Sequence, residues 1–503
     1  MIAIGNNTPG SYRLISITVS NNEGNQIDVT NMLEGFRITE SIYDMFLTGN
    51  IVLIDNQNIF NRIGFTGQEY IRIHFSGIQG LEEEVPDDEQ INQVFRVYNV
   101  SHYHRDTEIN LNNVVFSLDF CSPLLYEART KRVSRIYRGQ HGKIINDICR
   151  DELNFIEPEN TLKPSVKGGK ELGNFFSVRD PNVGDVAGFL CPNWTVYKAL
   201  EYLRDNTSND SQEAKPYGDS YYLYQTCLNG FRFHNVASMR TIEYLDGDVA
   251  FAPRMASQNI KENYDFVDGG GNDILNYNKS NTYNTLSGHT SGLYSGKALI
   301  YNTITKQLTE IDNEYTQQFE IDTDGTYKNK KLFGVSPPFR LGEEGIRSPA
   351  DGAVEDGNPL EVAPKSLEGD AITKRYGAAV HFSYSAPSTF SNKLGDEGNS
   401  VSSGGETTKF NRDRVEALFE RNRINIQIPG RTNISAGMTI NVQLPMPTAT
   451  GEREEILHNG SLLVEGVTWI GTRDGLEVQL SCTTDGHQVN MDKYEGMTLD
   501  QQY

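Results

Sequence analysis

The sequence predicts a mainly β chain, with two similar small antiparallel β-barrels separated by an α+β domain. Three observations carry that prediction. Apolar and polar residues alternate at period two through residues 12–121 and again in the C-terminal part of the chain, as half-buried strands require. Residues 122–250 switch to the spacing of amphipathic helices. Four short strand texts recur in the same order in the two β regions.

The first barrel is assigned to residues 1–121. Ile15, Ile17 and Val19 alternate with Ser16 and Thr18, and "NNEGN" closes the strand with a turn. Phe36 and Ile38 alternate with Arg37 and Thr39, and Ile51–Ile54 form the next apolar run. The connector between them, "SIYDMFLTGN", carries Ile42, Tyr43, Met45, Phe46 and Leu47, although surface loops are normally polar. Two readings are open for it: Ile42, Met45 and Phe46 plug a corner of the barrel core, or Tyr43 and Phe46 lie against a neighbouring barrel. Further strands follow at "EYIRIHF", "VFRVYNVSHY" and "NVVFSLDFC", with an acidic loop at 81–90.

The α+β domain covers 122–250. The stretch "SPLLYEARTKRVSRIYRGQHGKIINDICRDELNF" reads as helices, with an apolar stripe of Ile144, Ile145 and Ile148. In "PNWTVYKALEYLRDN", Val196, Ala199, Leu200 and Leu203 share one helix face, with Asn193 or Thr195 as N-cap. "SYYLYQTCLNGFRFHNV" reads as a hairpin turned at Asn229-Gly230. The basic run "RTKRVSRIYR" is expected to be a solvated helix face or an intersubunit ion-pair surface, with Arg132 and Arg135 as interface candidates.

The second barrel is assigned to 251–485, with a long insertion at about 303–423 that is loop-rich over 341–409; a polar tail, 486–503, follows. Its strands are read at "GLYSGKALIYNTI", "YTQQFEI", "INIQIPGRTNISAGMTINVQLP", "LLVEGVTWIG" and "GLEVQLSC", with a helix at "RDRVEALFERNR". The recurrence pairs 48–55 with 295–302, 67–75 with 437–444, 94–100 with 462–469, and 114–121 with 476–482. It predicts one barrel used twice.

The net charge of −22 argues against a protein that coats DNA or an anionic membrane, because phosphate binding takes Lys and Arg; it is compatible with a channel through which DNA slides. The five cysteines are far apart and form no C-x-x-C, so neither a zinc ribbon nor a disulfide framework is expected. The N-terminus has no signal-peptide pattern and no window reaches the apolar length of a membrane span, so a soluble protein made in the cytoplasm is expected. No phosphate loop, H-E-x-x-H or G-x-S-x-G motif occurs. His102 and His104 share a strand face without an evident third ligand, and "DTDG" and "DGGGNDIL" are partial calcium-loop texts that read as turns. No catalytic, metal-binding or cofactor residue is therefore assigned.

The ordered set "ITESIYDMFLTGNIVLIDNQNIF…GQEYIRIHF", "LLYEARTKRVSRIYRG", "PNWTVYKALEYLR", "LNGFRFHNV", "GLYSGKALIYN", "IQIPGRTNISAGMTINVQLP" and "LLVEGVTWIG" resembles the central baseplate hub protein of contractile-tailed bacteriophages, over most of residues 12–482. That family is related to the hub part of type VI secretion spike proteins. The resemblance implies two barrels like those of a tail tube, no catalytic centre, and a homotrimer between a tail-tube protein hexamer and a separate spike protein. It also implies contact with tape-measure and other baseplate proteins, no sequence-specific nucleic-acid binding, and a place in the virion baseplate after assembly in the host bacterial cytoplasm. Three chains with two barrels each would adapt sixfold to threefold symmetry. Tyr43, Met45, Phe46, Arg132 and Arg135 are then the candidate interface residues, towards a neighbouring barrel or the tube. The alternatives are the hub of a phage-derived contractile injection system and a tail-associated cell-wall hydrolase. The acidic loop, the 341–409 excursion and the tail depart from the family's pattern.

Overall fold

The computed structural model describes residues 2–4, 10–21, 25–77, 90–105, 114–153, 176–178, 185–209, 217–239, 251–253, 273–280, 295–302, 306, 308–314, 341–342, 345–346, 379–385, 404–448, 451–454 and 460–486. Period-two alternation becomes strand through the first region: β1 (Tyr12–Ser20), β2 (Leu33–Ser41), β3 (Thr48–Asp55), β4 (Tyr70–Gly77), β5 (Ile91–Arg105) and β6 (Val114–Cys121). Helix α1 (Pro123–Thr130), β7 (Arg132–Gln140), α2 (His141–Leu153), β8 (Asp185–Thr195), α3 (Val196–Asp205), β9 (Tyr221–Thr226) and β10 (Gly230–Asn235) make up the α+β part. Then come β11 (Asn276–Ser280), β12 (Ser295–Asn302), α4 (Gly404–Arg421), β13 (Arg423–Pro429), β14 (Thr439–Val442), β15 (Gly460–Thr472) and β16 (Leu476–Thr483).

One antiparallel sheet of thirteen strands takes strands from both β regions, in the order 2–4, β1, β4, β5, β6, β3, β2, β15, β16, β13, β11, with β14 beside β15 and 26–28 beside β1. Within it the unit β2-β3-β6-β5-β4 is repeated as β11-β13-β16-β15-β14. The repeat extends to register. Leu118 stands opposite Ile51 and Val100, and Leu480 opposite Ile426 and Val467. Phe36 stands opposite Ile51, and Tyr277 opposite Ile426. The central strands β5 and β15 bulge at the same step, with Tyr98 as the extra residue in one and Glu465 in the other. A bulge leaves one residue outside the ladder and sharpens the twist, so a shared bulge shapes both units alike.

Three of the four recurring texts hold these equivalent places; the pairing of 48–55 with 295–302 does not. Strand β12 lies in a separate sheet with 308–314 and 379–385, and β13 occupies the place that β3 has in the first unit. The glycine in "TGN" explains the mismatch. A Cβ on Gly49 would come within 2.3 Å of the Arg37 carbonyl oxygen and 2.5 Å of the Phe120 ring opposite it. In the second unit Ile424 faces Cys482, a small side chain, so the bulk moves across the pair and no glycine is needed. Among the described residues the sheet is left after Ser280 and re-entered at Arg423.

The expected helical run over 122–155 is broken: residues 132–140 form β7, paired with β8. Val133 and Tyr137 point inward while the arginines face out, and a strand of this kind needs only one apolar side. The expectations for α3 match. Thr195 caps α3 by accepting from the Lys198 amide at 3.3 Å, and the stripe Val196, Ala199, Leu200, Leu203 is fully buried. The β9–β10 hairpin forms, but its turn is Cys227–Asn229 rather than the expected Asn229-Gly230: Gly230 already pairs with Thr226, at φ 71°, a left-handed conformation that costs glycine little. "DTDG", "YTQQFEI", the acidic loop, most of 341–409 and the tail lie outside the described residues.

Candidate assembly interface

The apolar connector after β2 belongs to three cores at once. Leu47 joins the core of the large sheet. Met45 and Phe46 enter the core of the α+β part, where the Phe46 ring lies 5.3 Å from Phe231 and 6.2 Å from Tyr197. Ile42 joins a third core with Tyr222, Tyr224 and, from α4, Val415, Leu418 and Phe419. Met45 and Phe46 are therefore spent on packing in the α+β part rather than in the core of the large sheet, where the corner-plug reading put them. The connector is greasy because its side chains are shared among three interiors.

Tyr43 is half-buried, edge-on to Tyr222, and its hydroxyl donates to Glu465 Oε1 at 2.6 Å. Glu465 also receives Arg423 Nε at 2.7 Å, so the bulge residue of β15 is held by a buried ion pair. Burial, with the Glu465 charge adding to it, pushes the Tyr43 phenol above its ordinary value. Arg132 and Arg135 are exposed on β7; Arg132 donates to the Asn193 carbonyl at 3.2 Å and Arg135 to Asp151 at 2.7 Å. Beside them Ile136 and Leu190 face each other across β7 and β8 with 60% and 55% of their surface exposed. The structure thus separates the candidates: Tyr43, Met45 and Phe46 hold the chain's parts together, and Arg132 and Arg135 lie on an open ribbon.

The two units are joined by β2 and β15. Ser41 to Gly35 run antiparallel to Gly466 to Thr472, and Thr39 Oγ1 lies 3.3 Å from Thr468 Oγ1. Strand β15 has two neighbours on this one edge: β14 covers 460–463 and β2 takes over beyond the Glu465 bulge. Glu40, fully buried beside this junction, accepts from the Ala436 amide at 2.6 Å and the Cys227 amide at 2.8 Å. Gln93 of β5 donates to the Cys227 carbonyl at 2.6 Å, so the tip of the β9–β10 hairpin is pinned to two strands of the first unit, β2 and β5. Sequence reading passed over Glu40 and Glu465. The signal was present for Glu40: it shares the inward phase of Phe36 and Ile38.

Among the described residues no group of three or more His, Cys, Asp or Glu side chains could hold a metal ion, and no helix is long and apolar enough to cross a membrane. His104 is exposed, and the side chain of His102 lies outside the described set.

The structural neighbours are phage tail and type VI secretion proteins. The chain is similar to a 43 kDa tail protein of prophage MuSo2 from Shewanella oneidensis, at 8% identity and a TM-score of 0.45, over 93% of this chain and 98% of that one. It is similar to a tail protein from Neisseria meningitidis, at 8% identity and a TM-score of 0.46, over 94% and 97%. An Escherichia coli component of the type VI secretion system, described as structurally similar to T4 bacteriophage tail proteins, aligns at 8% identity and a TM-score of 0.40, over 95% and 79%. No family model and no curated protein matches the chain.

Proposed function

We propose that the chain is a structural hub of a contractile-tail baseplate, a homotrimer seated between a hexameric tail tube and a separate spike. The observation that carries this reading is the repeat of one five-stranded unit, in the same order and register, inside one sheet. A chain with two equivalent units offers six equivalent positions in a trimer while keeping threefold symmetry elsewhere. In this reading each unit is one small barrel of the ring.

The face of the sheet turned away from the core fits a channel wall. Thr39, Asn50, Asn99, Asn425, Gln479 and Ser481 share that face, where Arg37 and Asp119 flank Asn50 with opposite charges, and such a mainly neutral lining gives DNA phosphates little cationic hold. The role is structural rather than catalytic in this reading, and a zymogram on cell-wall material is expected to stay blank.

Light scattering and native mass measurement on the purified chain, alone and with its spike partner, test the proposal. A trimer is expected. A monomer or dimer under both conditions would sink it.

A further inference from the structure

The chain contains one completed junction between units and both halves of a second. In the completed junction, β2 reaches beyond its own unit and covers the edge of β15 past the Glu465 bulge. The counterpart of β15 in the first unit is β5, and β4 covers it only over 91–96. Past the matching bulge at Tyr98, no described strand pairs with that edge. Exposure follows: Tyr98 is 54% exposed where Glu465 is 2% exposed, and Val100 is half-exposed where Val467 is fully buried. The counterpart of β2 in the second unit is β11, which pairs with β13 as β2 pairs with β3. Among the described residues it is the last strand of the sheet on that side.

We propose that β11 of one chain pairs antiparallel with residues 101–105 of β5 in a second copy, repeating between chains the junction that β2 and β15 make within one. This rests on the trimer reading and names the surface that would build it. The repeat fixes the register at one point. Ser280 stands opposite Arg423 as Thr39 stands opposite Thr48. Ser101 stands opposite Ser117 as Thr468 stands opposite Gln479. Ser280 of one chain therefore meets Ser101 of the next, in the place of the Thr39–Thr468 pair. The contact is head-to-tail, so the first unit of each chain receives the second unit of its neighbour, and rotation closes the ring. It also pairs two strand edges that would otherwise be open to aggregation.

The test is oxidative cross-linking of the full-length double variant S101C/S280C, beside T39C/T468C as a control that must close within one chain. The native cysteines Cys121, Cys149, Cys191, Cys227 and Cys482 are all buried and contribute little background. Covalent dimers and trimers from S101C/S280C, absent in either single variant, support the proposal. Hydrogen exchange on the unmodified protein gives a second reading that does not depend on the variants folding. Amides of 101–105 that are not already bonded to β6 should exchange on the order of tenfold or more slower in the assembly than in a dissociated chain, as paired strands do. A trimer without cross-links and with fast exchange over 101–105 overturns the junction and leaves the trimer standing. A chain that is monomeric with and without its spike overturns both.

Discussion

Glu40 and Cys227 are bound to each other in a buried interior: the Cys227 amide donates to Glu40 Oε2 at 2.8 Å across 187 residues of sequence. The contact ties the tip of the β9–β10 hairpin to the strand that joins the two sheet units. A carboxyl group in that position is a thermodynamic switch as well as a clasp.

Burial pushes the Glu40 carboxyl up to about 7 from an ordinary 4.5, against the opposing pull of the two amides and the Arg232 charge. Between those values the folded chain holds a proton that the unfolded chain has lost. The group's contribution is complete below the unfolded value and is lost as pH rises through the folded one, roughly 3 kcal/mol in all. Urea denaturation at pH 5 and pH 8 should show the native protein losing more stability over that interval than E40Q. Equal losses would show that Glu40 does not titrate in this range.

Phe46 is predicted to anchor the α+β part to the sheet. Phe46→Ala removes a ring that is 4% exposed and packed against Phe231 and Tyr197, at a cost of about 3–5 kcal/mol. The loss should fall on the α+β part first, seen as faster exchange over 196–205 and 221–235 with protection kept in β3 and β6. Uniform loss across the chain would count against a separable anchor.

Gly471 and Phe36 face each other across the β2–β15 junction, and a Cβ on Gly471 would lie 2.2 Å from Phe36 Cε1. Gly471→Ala should cost about 1–3 kcal/mol by overpacking. Phe36→Leu in the same chain should recover part of it, giving a favourable coupling in a double-mutant cycle of thermal or urea unfolding. Additive losses would mean that the strain lies elsewhere.

Arg132 and Arg135 are exposed, and the Arg135–Asp151 pair is open to solvent, so charge reversal should leave folding stability essentially unchanged. If this ribbon is an assembly surface, R132E/R135E should lower the share of chains in the trimer or its spike complex at unchanged melting temperature. Unchanged assembly by native mass measurement removes the ribbon from the interface.

Much of the fold was legible because alternation alone places strands: "EYIRIHF", "VVFSLDFC" and "INIQIP" fall where period two puts them. What alternation cannot give is the neighbour of each strand. "SGKALIYN" and "TGNIVLID" look alike because both strands open on a small residue and a glycine before an apolar run, yet only one lies in the large sheet. "RVSRIYR" looked helical because its arginines obscure the two inward residues, Val133 and Tyr137. At the connector, composition marked burial correctly, but the destinations of Ile42, Met45, Phe46 and Leu47 depend on elements far along the chain.

Thr39 and Thr468 touch across 429 residues, and that distance sets a schedule. During synthesis at about 5–20 residues per second, β2 emerges roughly 20–90 s before the strand that will cover it. For that interval the nascent chain offers an open strand edge to every other growing copy on the same messenger. The arriving C-terminal strands and a neighbour's equivalent strands are rival partners for it. Ribosome pausing, translation speed or a chaperone bound to residues 33–41 would decide between a correctly closed chain and a strand-exchanged one.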